Sequence, residues 1–471
     1  MQGWKRMAGA VLAVAILAAL PVGAQSLRFS NRRQVEVPDY ATLRLGPFYS
    51  TLTLSQSLGA HYVRIEGEGV DFLYGNQRGE FKRDGYDFPV ITTLALRNYL
   101  IVSRNMDLEA NLRIQYRYYP MRTQENELLI DFSDEGVFAD LSTEFRLTPT
   151  VRGRLYDNAS YRTQYIDIRG EIDRYGGQRF ERFDNEVGLD LDWLVSRHEN
   201  VALSLSRHDT IPLGDSFTST RTWSYRESLA YERQFSPFLV GGVRGNAQQR
   251  FSSDRSDPVD YTQGLALFAD AQVTRHTEAG GSVGYALGIT RGGDPFVRRS
   301  SASLTYSAYM KQRLSPRLNH DLSASRSIQN AFITGIDITD RFGYRLNWQT
   351  WYLPGYVSTA VSRFDPVESD RNGWADWTSR LQVSQRVTRL VNMSFMTAYS
   401  ARWNETTDFQ VPVDASADFT TWVTRLSMTM PLTRHIDFTA YAEHAERDSD
   451  ASELRYTRDI IAASATWSHR F

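Results

Sequence analysis

The sequence predicts an all-β chain folded as a transmembrane antiparallel up-and-down β-barrel of about 20 strands, or alternatively about 18. Three features predict it. The last residues alternate strictly and end in Phe471, a hairpin unit recurs along the chain, and no apolar run after Leu20 is long enough for a membrane helix.

The N-terminus sets the compartment. Lys5 and Arg6 precede the apolar run from Met7 to Leu20, Pro21 breaks it, and Val22-Gly23-Ala24 supplies small residues for cleavage. Residues 1–24 therefore read as a signal peptide. Residues 25–46 read as a periplasmic lead-in, and 47–471 as the barrel. So short a lead-in leaves no room for the plug of a TonB-dependent transporter. The chain has no cysteine, which excludes a lipoprotein anchor, disulfides, thiolate metal sites and a thiol nucleophile.

Mean hydropathy is −0.43, too polar for a helical membrane protein. A barrel passes this test because only alternate residues face lipid. Aromatic residues make up 13% of the chain, enough for two interfacial girdles. Without Lys5 and Arg6 the mature chain carries 51 basic against 55 acidic side chains, and nothing suggests nucleic acid as a partner. Nearly all the cations are Arg, the only lysines being Lys5, Lys82 and Lys311.

The hairpin unit is about forty residues long, a period that propeller blades share, but it holds two long strands rather than four short ones. Its tight turns fall at Val102–Asn105, Leu147–Pro149, Val195–His198, Phe235–Pro237, Val273–His276, Leu314–Pro316, Leu353–Gly355, Val387–Arg389 and Leu432–His435. Most read apolar, then Ser or Thr, then Pro or Arg. The hydroxyl can bond to turn backbone, and Pro pre-sets φ. The strands between turns alternate, as in Leu108, Ala110, Leu112 and Ile114 against Glu109, Asn111, Arg113 and Gln115, or Trp422, Thr424, Leu426 and Met428 against Val423, Arg425 and Ser427. The opposite connections are long and acidic. Short turns at one end and long loops at the other make the short end periplasmic, with both termini there. Nine hairpins, an opening strand from Phe48 to Ile65 and a closing strand near 457–471 complete the count. Trp467 and Phe471 form the C-terminal signal read by the barrel-assembly machinery.

The segment Leu43-Arg44-Leu45-Gly46-Pro47-Phe48, the run from Arg97 to Asp107, and the segments Tyr156–Thr163 and Asp173–Arg179 resemble the β-barrel porin family encoded near bacterial exopolysaccharide loci. The resemblance implies an outer-membrane barrel taking part in export of a secreted polymer, with a possible periplasmic export partner. It implies no catalytic residue.

Strand parity turns Arg113, Arg117, Arg154, Arg226, Arg345, Arg380 and Arg425 toward the lumen, with Glu109, Asp270, Asp321, Asp437 and Glu443. These charges can pair across the wall, or the arginines can favour anions, since a planar guanidinium binds carboxylate and phosphate bidentately. Trp193, Phe235, Phe238, Trp351, Tyr352 and Trp467 fall at turn ends and Trp223, Trp374, Trp403 and Trp422 at loop ends, which reads as two girdles facing lipid and lipopolysaccharide. His208-Asp209 near Ser204 and Ser206 is the nearest approach to a catalytic group and has no supporting motif. No cofactor and no metal site is expected, and no calcium-loop spacing occurs. The expected function is a passive outer-membrane channel for hydrophilic solutes or an anionic polysaccharide. The alternative is a structural or adhesive barrel, plugged by Tyr156, Tyr309, Trp351 and folded loops.

Overall fold

Alternation builds the wall, and the short turns fix its order. This computed structural model describes residues 42–71, 77–103, 105–120, 127–131, 141–166, 178–213, 221–253, 260–292, 297–331, 335–366, 373–404, 418–450 and 455–470. The signal-peptide segment, most of the lead-in, Asp173–Gly177 and Phe471 lie outside them. Twenty antiparallel strands close on themselves. They are β1 (Phe48–Asp71), β2 (Gln77–Asp87 and Val90–Ser103), β3 (Met106–Tyr118), β4 (Glu127–Asp131 and Leu141–Thr148), β5 (Val151–Ile166), β6 (Gln178–Ser196) and β7 (Glu199–Leu213). Next come β8 (Thr222–Ser236), β9 (Leu239–Ser252), β10 (Asp260–Thr274), β11 (Thr277–Gly292), β12 (Val297–Ser315), β13 (Leu318–Ala331) and β14 (Gly335–Trp348). The last six are β15 (Gly355–Pro366), β16 (Trp374–Arg386), β17 (Asn392–Asn404), β18 (Phe419–Pro431), β19 (Ile436–Ser449) and β20 (Tyr456–Arg470). Each pairs with its sequence neighbours, and β20 returns to β1 from Thr53↔Arg470 to Gly67↔Tyr456. Closure satisfies every edge, the condition a sheet must meet to stand in lipid. Among the described residues no helix is long and apolar enough to cross a membrane.

All nine predicted turns join consecutive strands at one end of the barrel. Their hydroxyls act as the sequence suggests. Ser103, Thr148, Ser196, Ser236, Thr274, Ser315, Thr388 and Thr433 each accept a hydrogen bond from a turn backbone N–H at 3.0–3.3 Å. Several of these turns also carry a register shift beside the hydroxyl residue, as between Gln234 and Ser236 or Arg313 and Ser315. The short strand Leu43–Leu45 folds back on β1 through Gly46, whose φ of 64° lies in the left-handed region that favours glycine.

Two strands depart from simple alternation. In β2 the register is continuous, His61↔Asp87 and Leu58↔Val90, but the ladder breaks at Pro89, which has no N–H to give. Its carbonyl still accepts from the Gly59 amide at 2.9 Å. In β4 the register with β3 changes between its two halves, from Arg113↔Asp131 to Ala110↔Leu141.

One face of the wall carries exposed apolar side chains, including Leu58, Leu265, Leu267, Val283, Tyr285, Leu304, Phe342, Val361, Leu426 and Ile461. Register links them: Leu265↔Tyr285↔Leu304 and Leu267↔Val283. In a closed barrel this is the lipid face, and the alternate polar residues line the interior. The girdle assignment needs one correction. Trp374 and Trp377 are three residues apart, so a strand cannot present both on one face. Trp377 is on the outer face, in register with Val361, while Trp374 faces inward, stacked on Phe364 with centroids 5.0 Å apart.

Candidate functional site: the inner wall

The polar face holds all seven arginines singled out from the sequence. Arg113 is in register with Ala95, and Arg117 donates to Gln115 at 3.0 Å. Arg154 stands between Glu144 and Asp190 and lies over the Tyr156 ring at 5.4 Å. Arg226 has Ser206 and Gln248 as register partners. Arg345 lies over Tyr356 at 4.3 Å and donates to Asn347 at 2.8 Å. Arg380 lies 6.0 Å from the same ring and donates to Gln382 at 3.2 Å. Arg425 pairs with Glu443 and lies over Tyr441 at 4.8 Å. In the closing strand, Trp467 is on the outer face, stacked on His469 with centroids 6.1 Å apart.

Register also reveals a segregation that strand parity alone does not. In the turn-proximal half of the wall, β4 to β11 carry Glu144, Asp190, Asp192, Glu232, Asp270 and Glu278, set against Arg146, Arg152, Arg154 and Arg244. The adjoining strands β12 to β19 carry Lys311, Arg313, Arg345, Arg380, Arg386 and Arg425, set against Asp321, Asp437 and Glu443. The lumen thus has a more acidic arc and a more basic arc, and a charged solute between them meets a transverse field.

The two arcs are held differently. On the basic side Glu443 is buried, and it accepts from Arg425 at 2.7 Å and from Arg458 at 2.8 Å. Val63, Ile460 and Ala462 form a small apolar cluster on the inner wall at the β1–β20 closure, with Tyr441 packed on it. On the acidic side aromatic rings lie flat on cross-strand glycines: Tyr156 on Gly188, Phe268 on Gly242 and Tyr309 on Gly280. The Tyr309 hydroxyl donates to Asp270 at 2.7 Å and lies 3.1 Å from Glu278. Tyr156 and Tyr309, considered above as obstructions, thus pack along the wall. Trp351, the third, sits in the β14–β15 connection and is 81% exposed.

His208 and Asp209 project to opposite faces and form no dyad. His208 lies inside, 3.8 Å from Asp184 and from Glu186, whereas Asp209 pairs outside with Arg207 and Arg221 at 2.7 and 2.9 Å. Among the described residues no group of three or more His, Cys, Asp or Glu side chains could hold a metal ion.

The fold has solved counterparts. The FrpB iron transporter from Neisseria meningitidis (F3-3 variant) is 9% identical with a TM-score of 0.52, covering 88% of this chain and 81% of that one. The copper transporter OprC is 10% identical with a TM-score of 0.51, covering 91% and 82%. At these identities the likeness establishes the outer-membrane barrel fold and nothing finer. No protein-family model and no curated protein sequence matches the chain.

Proposed function

We propose that this barrel is a passive outer-membrane conduit that prefers anionic hydrophilic solutes, with a secreted acidic polysaccharide as the large-solute case. The observation that carries the reading is the basic arc. Arg345 and Arg380 are exposed on the inner face and hydrogen-bond the neutral amides of Asn347 and Gln382 rather than a carboxylate. Guanidiniums held this way keep a net positive field in the lumen. A barrel of about 20 strands also lies in the size range where side chains alone do not fill the lumen. That structural counterparts are named as transporters accords with throughput, though their metals are not carried over to this chain. The short-turn end and both termini are then periplasmic, where an export partner could dock. The His208-Asp209 pair read from the sequence as the nearest approach to a catalytic group is split across the two faces.

Proteoliposome swelling tests the reading. Vesicles holding the refolded mature chain are expected to admit galacturonate oligomers faster than neutral glucose oligomers of equal length. Equal rates, or faster entry of the neutral series, would count against an anion-preferring conduit.

A further inference from the structure

We propose that Arg345 and Arg380 form a two-guanidinium seat for the carboxylate of an acidic sugar. The seat rests on the reading of this wall as the lining of an accessible lumen, and it adds a defined binding position to a general field. The register builds it. Arg345, Ser358 and Arg380 occupy one row across β14, β15 and β16, because Arg345↔Ser358 and Ser358↔Arg380 are direct partners. Adjacent strands are roughly 4.8 Å apart, so the two arginine backbones stand roughly 10 Å apart with only a serine between them. Both guanidiniums lean toward the ring of Tyr356, one at 4.3 Å and one at 6.0 Å. They therefore converge over the middle strand instead of diverging into the lumen.

The surroundings complete a cup. On the turn side, Asn347, Tyr356 and Gln382 form a floor tied together by hydrogen bonds. Tyr356 donates to Gln382 at 3.1 Å, and each arginine donates to its own amide neighbour. On the loop side the next row is Gly343, Ala360 and Thr378, small residues that leave headroom above the arginines. The nearest carboxylate in the row is Asp321, the register partner of Arg345, and Lys311 is its partner on the far side. The row from Lys311 to Arg380 thus keeps an excess of positive charge.

The shape selects the ligand. Two guanidiniums that converge on one tyrosine ring, with a serine between their backbones, suit a carboxylate that each can grip through one edge. Arg345 lies over the Tyr356 ring at 4.3 Å, so the seat holds the acid group, and the sugar ring projects into the lumen. Along an acidic glycan such a seat binds one residue at a time, which permits stepwise passage.

Calorimetry on the full mature chain, refolded in detergent micelles, reads the seat whether or not the pore conducts. The titrant is a galacturonate hexamer, with a neutral glucose hexamer as reference. Arg345→Gln and Arg380→Gln are each expected to weaken galacturonate binding by about tenfold, the loss typical of a charge-assisted hydrogen-bonded pair. Arg345→Lys and Arg380→Lys keep the charge but lose the fork, and should recover only part of that loss. Arg207→Gln, on the outer face, should leave binding unchanged. All variants are checked for folding by heat-modifiable gel migration. Unchanged affinity in the folded double Gln variant overturns the seat even if the barrel is anion-selective. Full recovery by lysine reduces it to a diffuse field and also overturns it. Displacement of the hexamer by equimolar inorganic phosphate overturns the assignment to an acidic sugar. Loss of binding in the variants of a barrel that does not conduct would leave the seat standing and the conduit refuted.

Discussion

Replacing Glu443 by Ala is expected to destabilise the barrel by about 3 kcal/mol and to shift ion selectivity further toward anions. The carboxylate is 3% exposed and lies between Arg425 on β18 and Arg458 on β20. Arg458 is 14% exposed, whereas Arg425 is 43% exposed, so solvent screens the Arg425 arm and the larger share of the loss belongs to Arg458. The site also adjoins the closing seam, since Glu443 pairs with Ile460, a member of the Val63–Ile460–Ala462 cluster. Losing the carboxylate therefore loosens the strands that complete the barrel. The same change removes a negative charge from the basic arc, which moves the zero-current potential in a salt gradient toward the chloride potential. Denaturant unfolding in lipid vesicles gives the stability and planar-bilayer recording gives the potential. A loss under about 1 kcal/mol with no shift in potential would show that Glu443 neither anchors the seam nor faces the pathway.

Gly280→Val is expected to cost about 2 kcal/mol and to lower single-channel conductance. A side chain at Gly280 meets the Tyr309 ring at 2.8 Å and the Asp270 carboxylate. Tyr309 then leaves the wall, its hydrogen bond to Asp270 breaks, and the ring swings into the lumen. Packing a ring over a cross-strand glycine thus serves two purposes here: it covers backbone and keeps the pathway clear. The double variant Gly280→Val with Tyr309→Ala should regain conductance, because the displaced ring is gone. Gly85→Ala is the matched control, since nothing lies within 4 Å of a Cβ there. Wild-type conductance in folded Gly280→Val would mean that Tyr309 does not border the pathway.

Much of this architecture was legible in the residues. Period-two alternation separates lipid face from lumen face without any coordinates, and the apolar-Ser/Thr-Pro/Arg turns mark where strands reverse. The count of 20 followed from those turns, the Phe48 strand and the closing strand. Parity likewise put Arg345, Arg380 and Arg425 on one face. What parity cannot give is height or neighbour. The meeting of Arg345 and Arg380 over Tyr356 depends on how β14, β15 and β16 slide past one another. The acidic arc from Glu144 to Glu278 likewise becomes visible only when distant strands share a level. Pro89 does announce a ladder break, but the register change in β4 between Asp131 and Leu141 has no proline to mark it. Trp374 was misread as a girdle residue although its even spacing from the lumen-facing Arg380 already turned it inward, a case where position near a strand end was weighed above parity.

The most direct measurement is the zero-current potential of the refolded wild-type barrel in a tenfold KCl gradient across a planar bilayer. An open lumen with an exposed basic arc predicts stable channels whose potential has the sign of chloride preference. Cation-selective channels would contradict the assignment of that arc as the field that governs passage. Absence of conductance from protein shown to be folded by heat-modifiable migration would contradict the open conduit itself.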